Sequence, residues 1–413
     1  MYLCSKIMTD KMIIGFDAKR IVRNRTGLGS YARTLVSDLA GRDDILLRLY
    51  APDAGYDDLR CQVPERENLT YCYPSSQASH RFIPPFGEAR WGFSPLASIR
   101  KSYWRSRGIV ADLCRDGVQL YHGLSGELPM GISRSGIKSV VTIHDLIFLR
   151  HPEFYHWIDT KIYARKFRQT VREADHIIAI SECTKRDILA FSSVDERKIS
   201  VIYQSYAPHF KQPSDPVGSP SASATPVGAC PLFPDGSDQP YLLSVGTIER
   251  RKNILLAVKA LALLPSNLKL VVIGRHTPYA DEVRAYAERH GLAHRLLMLH
   301  DVSNQQLPPY YRRAEAFVYP SVYEGFGIPI IEAISSGLPV VACTGSCLEE
   351  AGGPASLYVA PTDAEGLAAA VRQCLHGTAG RAERIRQSQA YIRRFEGTDV
   401  ASQVAAVYRR LLG

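Results

Sequence analysis

The stretch YLLSVGTIERRKNILLAVKALALLPSNLKLVVIG, residues 241–274, decides the fold. YLLSVG (241–246) is a short continuous apolar run, the pattern of a parallel strand buried on both faces. A cationic loop follows, and then NILLAVKALALLP (253–265) with helical spacing of its apolar residues. LKLVVIG (268–274) is a second apolar run. Two such strands joined through a helix form a βαβ unit, whose crossover is right-handed.

The same alternation extends in both directions. Toward the C-terminus it continues through a helix near 280–290, RLLMLH (295–300), a short helix, AFVYP (316–320), a helix from 328, LPVVAC (338–343) and SLYVA (356–360). In the first half, strands are expected at 12–17, 45–50, 69–73, 118–122, 139–143, 176–180 and 199–203. Helical patterns at 30–40 and 157–174 lie between them, and Ser181 reads as the N-cap of another helix. Residues 211–240 break the alternation with seven prolines and three glycines, a linker composition. The chain is therefore expected to be α/β, with two Rossmann-like, doubly wound parallel-sheet domains facing a cleft. The expected bounds are an N-terminal domain 1–210, a linker 211–240 and a C-terminal domain 241–413. The last helical segment, DVASQVAAVYRRLLG, can pack back on the first domain.

Length and composition agree. At 413 residues the chain is too long for one ordinary core. With 46% hydrophobic and 22% charged residues it is globular rather than disordered. The net charge of +9 favours anionic partners such as phosphates, nucleic acid or acidic lipid head groups. Nine scattered cysteines, without a CxxC pair, read as reduced structural thiols in a cytoplasm rather than a zinc or redox motif. No apolar run reaches signal-peptide length at the N-terminus or membrane-spanning length elsewhere.

Four segments carry candidate chemistry. In EGFGIPIIEAISSG (324–337), a tight Gly325-Phe326-Gly327 turn opens a helix through Pro329, and Glu324 and Glu332 are eight residues apart. Such a turn leaves backbone N–H groups for a ligand, and each carboxylate can accept from adjacent sugar or ribose hydroxyls. The plainer alternative is a helix-dipole role for Glu332 and a solvated loop charge at Glu324. In SVGTIERRKN (244–253), Arg250, Arg251 and Lys252 precede Asn253, a candidate helix cap, which suits a diphosphate. A basic loop on a basic protein is the alternative. In GFDAKRIVRNRTGLGSYA, the string GxGxxA lies about nine residues after the strand, too far for a dinucleotide fingerprint. Gly29 then either permits close approach of a phosphate or sugar, or simply starts a helix. In VTIHDLIF (141–148), His144 and Asp145 follow a strand, where a His can bond a sugar hydroxyl or shuttle a proton. No D-x-D occurs, so cations and helix ends are expected to neutralise a leaving diphosphate, with no metal and no cofactor.

These residues resemble glycosyltransferase family 4, retaining enzymes with the two-domain fold called GT-B. EGFGIPIIEAISSG resembles the family's E-x7-E segment, and TGLGSYA, VTIHDLIFLRHPEFY, ADHIIAISECTKRDI, VGTIERRKN and LEEAGGPASLYVAPTD extend the likeness over nearly the whole chain. The resemblance implies that Glu324 contacts the donor sugar near the reacting carbon and that His144 lines the catalytic cleft. It implies donor contacts from Gly29, the Gly325, Phe326 and Gly327 backbone, Glu332 on the ribose, and Lys252 with Arg251 on the diphosphate. Arg275 and Val302 match positions near the phosphate and base. Thr247 stands where many members have Arg, and Glu349 and Pro354 where Pro and Asp are frequent. The GTIERRKN, HDL and HPEFY forms look most like bacterial mannosyltransferases of O-antigen and exopolysaccharide assembly. By analogy the donor is GDP-mannose and the acceptor a glycan or polyprenyl-diphosphate-linked oligosaccharide, with no nucleic acid partner. A nucleotide-sugar epimerase and an NAD-dependent dehydrogenase are the other readings of such a fold; the dehydrogenase lacks a ribose acid after its second strand. Residues 80–107 mix six Arg or Lys with Phe82, Phe86, Trp91, Phe93, Tyr103 and Trp104. They suggest a peripheral seat on the anionic inner face of the cytoplasmic membrane, with partial burial of the aromatics as the alternative.

Overall fold

The computed structural model describes residues 11–74, 100–206, 210, 239–395 and 399–413. The chain forms two compact units, Met1–Gln204 with Asp399–Gly413, and Ser205–Thr398.

Unit one holds seven parallel strands: β1 (Met12–Asp17), β2 (Ile45–Tyr50), β3 (Leu69–Cys72), β4 (Leu120–Gly123), β5 (Lys138–Ile143), β6 (His176–Ala179) and β7 (Ile199–Val201). Their order is β3-β2-β1-β4-β5-β6-β7. Ile14 and Phe16 of β1 have no exposed surface, as expected of a central strand covered on both faces. The register pairs Met12 with Ile45 on one side and Ile14 with Leu120 on the other. The strand order therefore reverses between β1 and β4. In open α/β sheets, ligands bind outside the carboxyl ends of strands at such a reversal.

The helix Val400–Leu412 belongs to this unit. It packs against the helix Gly27–Ala40, and Val404, Ala405 and Tyr408 share a core with Ile14, Phe16 and Leu35. Asp399 caps it by accepting from the Ser402 amide at 2.8 Å. Arg42 bonds the Ser402 hydroxyl at 2.9 Å and Arg409 the Asp44 carboxylate at 2.5 Å.

Unit two holds six parallel strands: β8 (Tyr241–Val245), β9 (Lys269–Ile273), β10 (Leu296–Leu299), β11 (Ala316–Tyr319), β12 (Val340–Cys343) and β13 (Leu357–Val359). Their order, β10-β9-β8-β11-β12-β13, reverses between β8 and β11. Its core is built from Leu242, Leu270, Val272, Val318 and Val341 with the helix residues Leu256, Leu261, Val283 and Leu367. Two doubly wound parallel sheets are thus present, with each strand within a few residues of its expected position.

Two expected segments fall largely outside the described residues. They are residues 211–238 of the linker, and residues 80–99 of the basic-aromatic stretch.

Candidate active site

The reversal between β8 and β11 brings two loops together in unit two. The loop after β8 carries Arg251 and Lys252 on a short 3₁₀ turn, Arg250–Lys252. The loop after β11 carries Tyr323 and Glu324. Glu324 is 8% exposed and sits between the two cations. Its Oε1 accepts from Lys252 Nζ at 2.5 Å and its Oε2 from Arg251 Nη1 at 2.7 Å. Burial opposes ionisation of this carboxyl, but the charges of Lys252 and Arg251 outweigh it and bring its pKa down to about 2. Lys252 also donates to the Tyr319 hydroxyl at 2.6 Å and lies 4.8 Å from the centre of that ring. Arg251 Nη1 donates to the Tyr323 carbonyl at 2.8 Å and Nη2 to Glu249 at 2.7 Å. Glu324 is therefore not a solvated loop charge, and the basic loop is tied to the acidic turn.

The turn Gly325–Gly327 feeds the helix Ile328–Ser335, whose N-cap is Gly327 at φ 108°, with no side-chain cap bond and Pro329 in the first turn. A side chain at Gly327 would be strained at that φ and would press on Leu348 and Ala351 at 3.2 and 3.3 Å. The Phe326 ring is 3% exposed and meets the Phe395 ring edge-on at 5.3 Å between centres. Phe326 thus anchors the turn in the core of unit two. Glu332 lies on the same helix and accepts from the Tyr311 hydroxyl at 3.0 Å. Burial pushes its carboxyl up to about 7, with the Tyr311 bond pulling partly the other way.

Arg275 and Val302 follow β9 and β10 at the same carboxyl edge. Arg275 is exposed and Val302 half-buried, and the Arg275 carbonyl accepts from the Ile248 amide at 3.1 Å. The helix Ile254–Leu261 departs from expectation. Asn253 adopts a left-handed conformation, φ 54°, and makes no side-chain cap bond. Its amide instead donates to the Pro361 carbonyl at 2.9 Å, while the Tyr279 hydroxyl accepts from the Leu255 amide at 3.2 Å. Sequence cannot distinguish an Asn that caps by side chain from one that tolerates positive φ.

In unit one, His144 follows β5. Its Nε2 donates to the Leu124 carbonyl at 2.9 Å, so its Nδ1 is the acceptor for the Gln204 amide, also at 2.9 Å. Burial lowers its pKa to about 4, with the Leu124 bond partly opposing, so the ring is neutral at pH 7. The Tyr31 ring stands edge-on to it at 4.8 Å. Both ring nitrogens are engaged, so moving a proton would require exchange of one of these bonds. Asp145 Oδ1 accepts from the Ile147 amide at 3.3 Å and so caps the turn that follows. Gly29 shows why that position is glycine. A Cβ there would lie 2.0 Å from the Asn24 carbonyl oxygen. Its N–H is already bonded to the Thr26 carbonyl at 2.9 Å and Asn24 Oδ1 at 3.1 Å. The loop's own packing accounts for this glycine without a ligand.

The cations of the basic-aromatic stretch that are described are partly used within the fold. Lys101 bonds Asp53 at 2.7 Å, and Arg105 pairs with Asp17 and, at 3.4 Å, with Glu127. Trp104 is 5% exposed and donates to Asp112 at 2.7 Å. At Trp104 and Arg105 ordinary packing prevails over surface display. Among the described residues, seven cysteines are free and four of them buried, and no three His, Cys, Asp or Glu side chains group as metal ligands. None of the described helices is long and apolar enough to cross a membrane.

Unit two thus gathers two cations and a carboxylate at the switch point of a doubly wound sheet. Comparison with known proteins gives the class. The family model "Glycosyltransferase Family 4" matches residues 26–206 and "Glycosyl transferases group 1" matches 234–391. O-antigen chain mannosyltransferase B of Escherichia coli is 27% identical over 409 residues, covering 97% of this chain and 100% of that protein. Sucrose-phosphate synthase from Thermosynechococcus elongatus superposes with a TM-score of 0.71 at 20% identity, over 97% of this chain and 99% of its own. Anabaena HepE in complex with UDP-glucose superposes with a TM-score of 0.66 at 16% identity, over 97% and 99%. The chain is a glycosyltransferase with the GT-B fold, its first part matching the family 4 model and its second the group 1 model.

Proposed function

We propose that this glycosyltransferase moves mannose from GDP-mannose to a glycan or polyprenyl-diphosphate-linked oligosaccharide, with retention at the anomeric carbon and without a metal. The observation that carries this reading is Glu324 held between Lys252 and Arg251 where β8 and β11 part. As the bond between the sugar and the diphosphate breaks, negative charge grows on the leaving diphosphate. Lys252 and Arg251 are fixed where they would meet it, without reorganisation at that moment. The ammonium of Lys252 has three N–H donors, two of them used by Tyr319 and Glu324, so one is left for a phosphate oxygen. A phosphate drawing on both cations loosens their hold on Glu324 and releases carboxylate lone pairs to sugar hydroxyls. Glu332 is suited to the ribose, and the backbone at Gly325–Gly327 to the sugar. The choice of mannose rests on the likeness to the mannosyltransferase of Escherichia coli, which spans both proteins.

The test is transfer from a panel of nucleotide sugars to a mannose-terminated lipid-linked oligosaccharide, preceded by thermal shift with the same panel. GDP-mannose is expected to give the largest shift and the only rapid transfer. A larger shift and faster transfer with another nucleotide sugar would replace the donor. Conversion of donor without acceptor would favour an epimerase.

A further inference from the structure

The helix Trp157–Glu173 carries a face that the other described residues leave uncovered. It joins β5 to β6, which run parallel, so it runs back against both and starts at the carboxyl edge of the sheet, the edge that carries His144. Its buried side chains are Ala164, Phe167 and Thr170, a narrow stripe three residues apart. At 100° per residue, Ile158 and Ile162 project to the opposite side, and they are 45% and 47% exposed. Trp157, at the flank, is 61% exposed. Further along, exposed Arg165 and Arg172 continue the outward face and exposed Arg168 borders it. Lys161 Nζ lies 4.7 Å from the centre of the Trp157 ring. The helix thus shows apolar residues in its first two turns and cations after them.

The charges on the helix are one-sided. Its acids are Asp159 and Glu173, and Glu173 already accepts from the Gly131 and Ser133 amides and the Ser133 hydroxyl. Its cations are Lys161, Arg165, Lys166, Arg168 and Arg172, of which Lys166 bonds Glu127 at 2.9 Å. A second copy of the same face would bring like charges together as it covered the apolar residues, which costs several kcal/mol.

We propose that this face seats on an anionic bilayer surface. Trp157, Ile158 and Ile162 enter the head-group boundary, and Arg165, Arg168 and Arg172 lie on acidic head groups. An interfacial helix has this division, with Trp and aliphatic residues on one part and Lys or Arg on the rest. It would hold the carboxyl edge of unit one against the membrane, where a lipid-linked acceptor is met; that purpose rests on the proposed function, while the surface itself rests on its residues.

The experiment is co-sedimentation of the full chain with phosphatidylcholine vesicles, with and without phosphatidylglycerol. Binding is expected to need phosphatidylglycerol, and to fall at high salt as exposed charges are screened. Combining Arg165→Gln, Arg168→Gln and Arg172→Gln should lower the partition coefficient about a hundredfold, at roughly fivefold per cation. Combining Trp157→Ser, Ile158→Ser and Ile162→Ser should lower it about tenfold or more. Fluorescence should shift to the blue on anionic vesicles, and Trp157→Phe should abolish the shift. All substituted residues are exposed, so unchanged melting and GDP binding serve as the fold control. The proposal is overturned if the wild type stays in the supernatant, binds both vesicles equally, or loses nothing in either triple variant. It is also overturned if the apolar variant instead dissolves a dimer. Vesicle binding without GDP binding would count against the proposed function and leave this surface standing.

Discussion

Burial of Glu324 between Lys252 and Arg251 makes its removal more than a loss of sugar contacts. A side chain that cannot ionise leaves two cations poorly paired in a dry pocket, which typically costs 3–5 kcal/mol. Glu324→Ala is therefore expected to lose turnover and also to melt earlier. Glu324→Gln keeps the shape, and should lose transfer while binding GDP at least as well as the wild type, because the carboxylate no longer competes for the cations. Calorimetry with GDP and an initial-rate assay check this pair, and a folded Gln variant with wild-type turnover would remove Glu324 from the mechanism. Lys252→Ala should do the reverse to affinity, weakening GDP by about 1.5–3 kcal/mol. Glu332 adds a pH dependence. Its folded pKa of about 7 lies above the ordinary 4.5, so its protonated form stabilises the protein at low pH and that contribution is lost as pH rises through 7. The ionised form is the better acceptor for ribose hydroxyls, so the stabilisation by GDP should grow as pH rises through 7. Glu332→Gln should flatten this dependence, and Tyr311→Phe, which removes the bond that lowers the pKa, should move it upward. Removal of divalent ions with EDTA should leave transfer intact if Lys252 and Arg251 suffice for the diphosphate; loss with EDTA and rescue by magnesium or manganese would show a metal requirement.

Elements were legible because each strand is a short apolar run between polar or glycine-rich breaks. Misplaced ends, such as 118–122 for β4 at Leu120–Gly123, come from apolar residues that are buried before pairing begins; Val118 is 5% exposed yet lies outside the strand. The acidic turn and the basic loop were legible as segments, since both follow strands, but their meeting was not. It depends on strand order, which places β8 next to β11 across 70 residues of chain. Tyr319 and Tyr311 were missed for the same reason, although Tyr319, as the last residue of β11, stands where a ligand edge was expected. Gln204, which bonds His144 Nδ1, carried no signal. Gly274, which ends the run LKLVVIG, also belongs to this scale. A Cβ there would lie 1.8 Å from the Gly246 carbonyl oxygen, so the ends of β8 and β9 approach too closely for any side chain. The clash is with backbone and cannot be relieved by a rotamer change. Gly274→Ala should part the two strand ends and lower the melting point by about 2–4 °C for each kcal/mol lost. It should weaken GDP binding too, because the loop bearing Arg251 and Lys252 starts at Gly246. A stable variant with normal GDP affinity would show that the loop is positioned without this contact.

The chain as a whole is threaded so that its last helix completes the first unit, and a buried polar chain shows how much depends on it. His122 of β4 has no exposed surface; its Nδ1 meets the Tyr408 hydroxyl at 2.6 Å and its Nε2 the Thr142 hydroxyl at 2.9 Å. Thr142 in turn meets the Tyr31 hydroxyl at 3.2 Å, and the Tyr31 ring supports His144. Burial holds the His122 pKa down at about 3, with His144 adding to the effect, so it is neutral at pH 7 and needs one donor and one acceptor. Tyr408→Phe would leave a buried ring nitrogen without its partner, at a cost of about 1–3 kcal/mol. Deleting residues 399–413 would also uncover Ile14, Phe16 and Leu35, which share a core with this helix. Arg251, Lys252, Glu324 and Glu332, the residues proposed to bind the donor, all lie in the other unit. The two changes should therefore lower the thermal transition of unit one while the transition raised by GDP keeps its ligand response. Scanning calorimetry with and without GDP separates them, and hydrogen exchange at β1 and β4 locates the loss. Equal destabilisation of both transitions, with the GDP response gone, would mean that the terminal helix supports the nucleotide site as well as the core it completes.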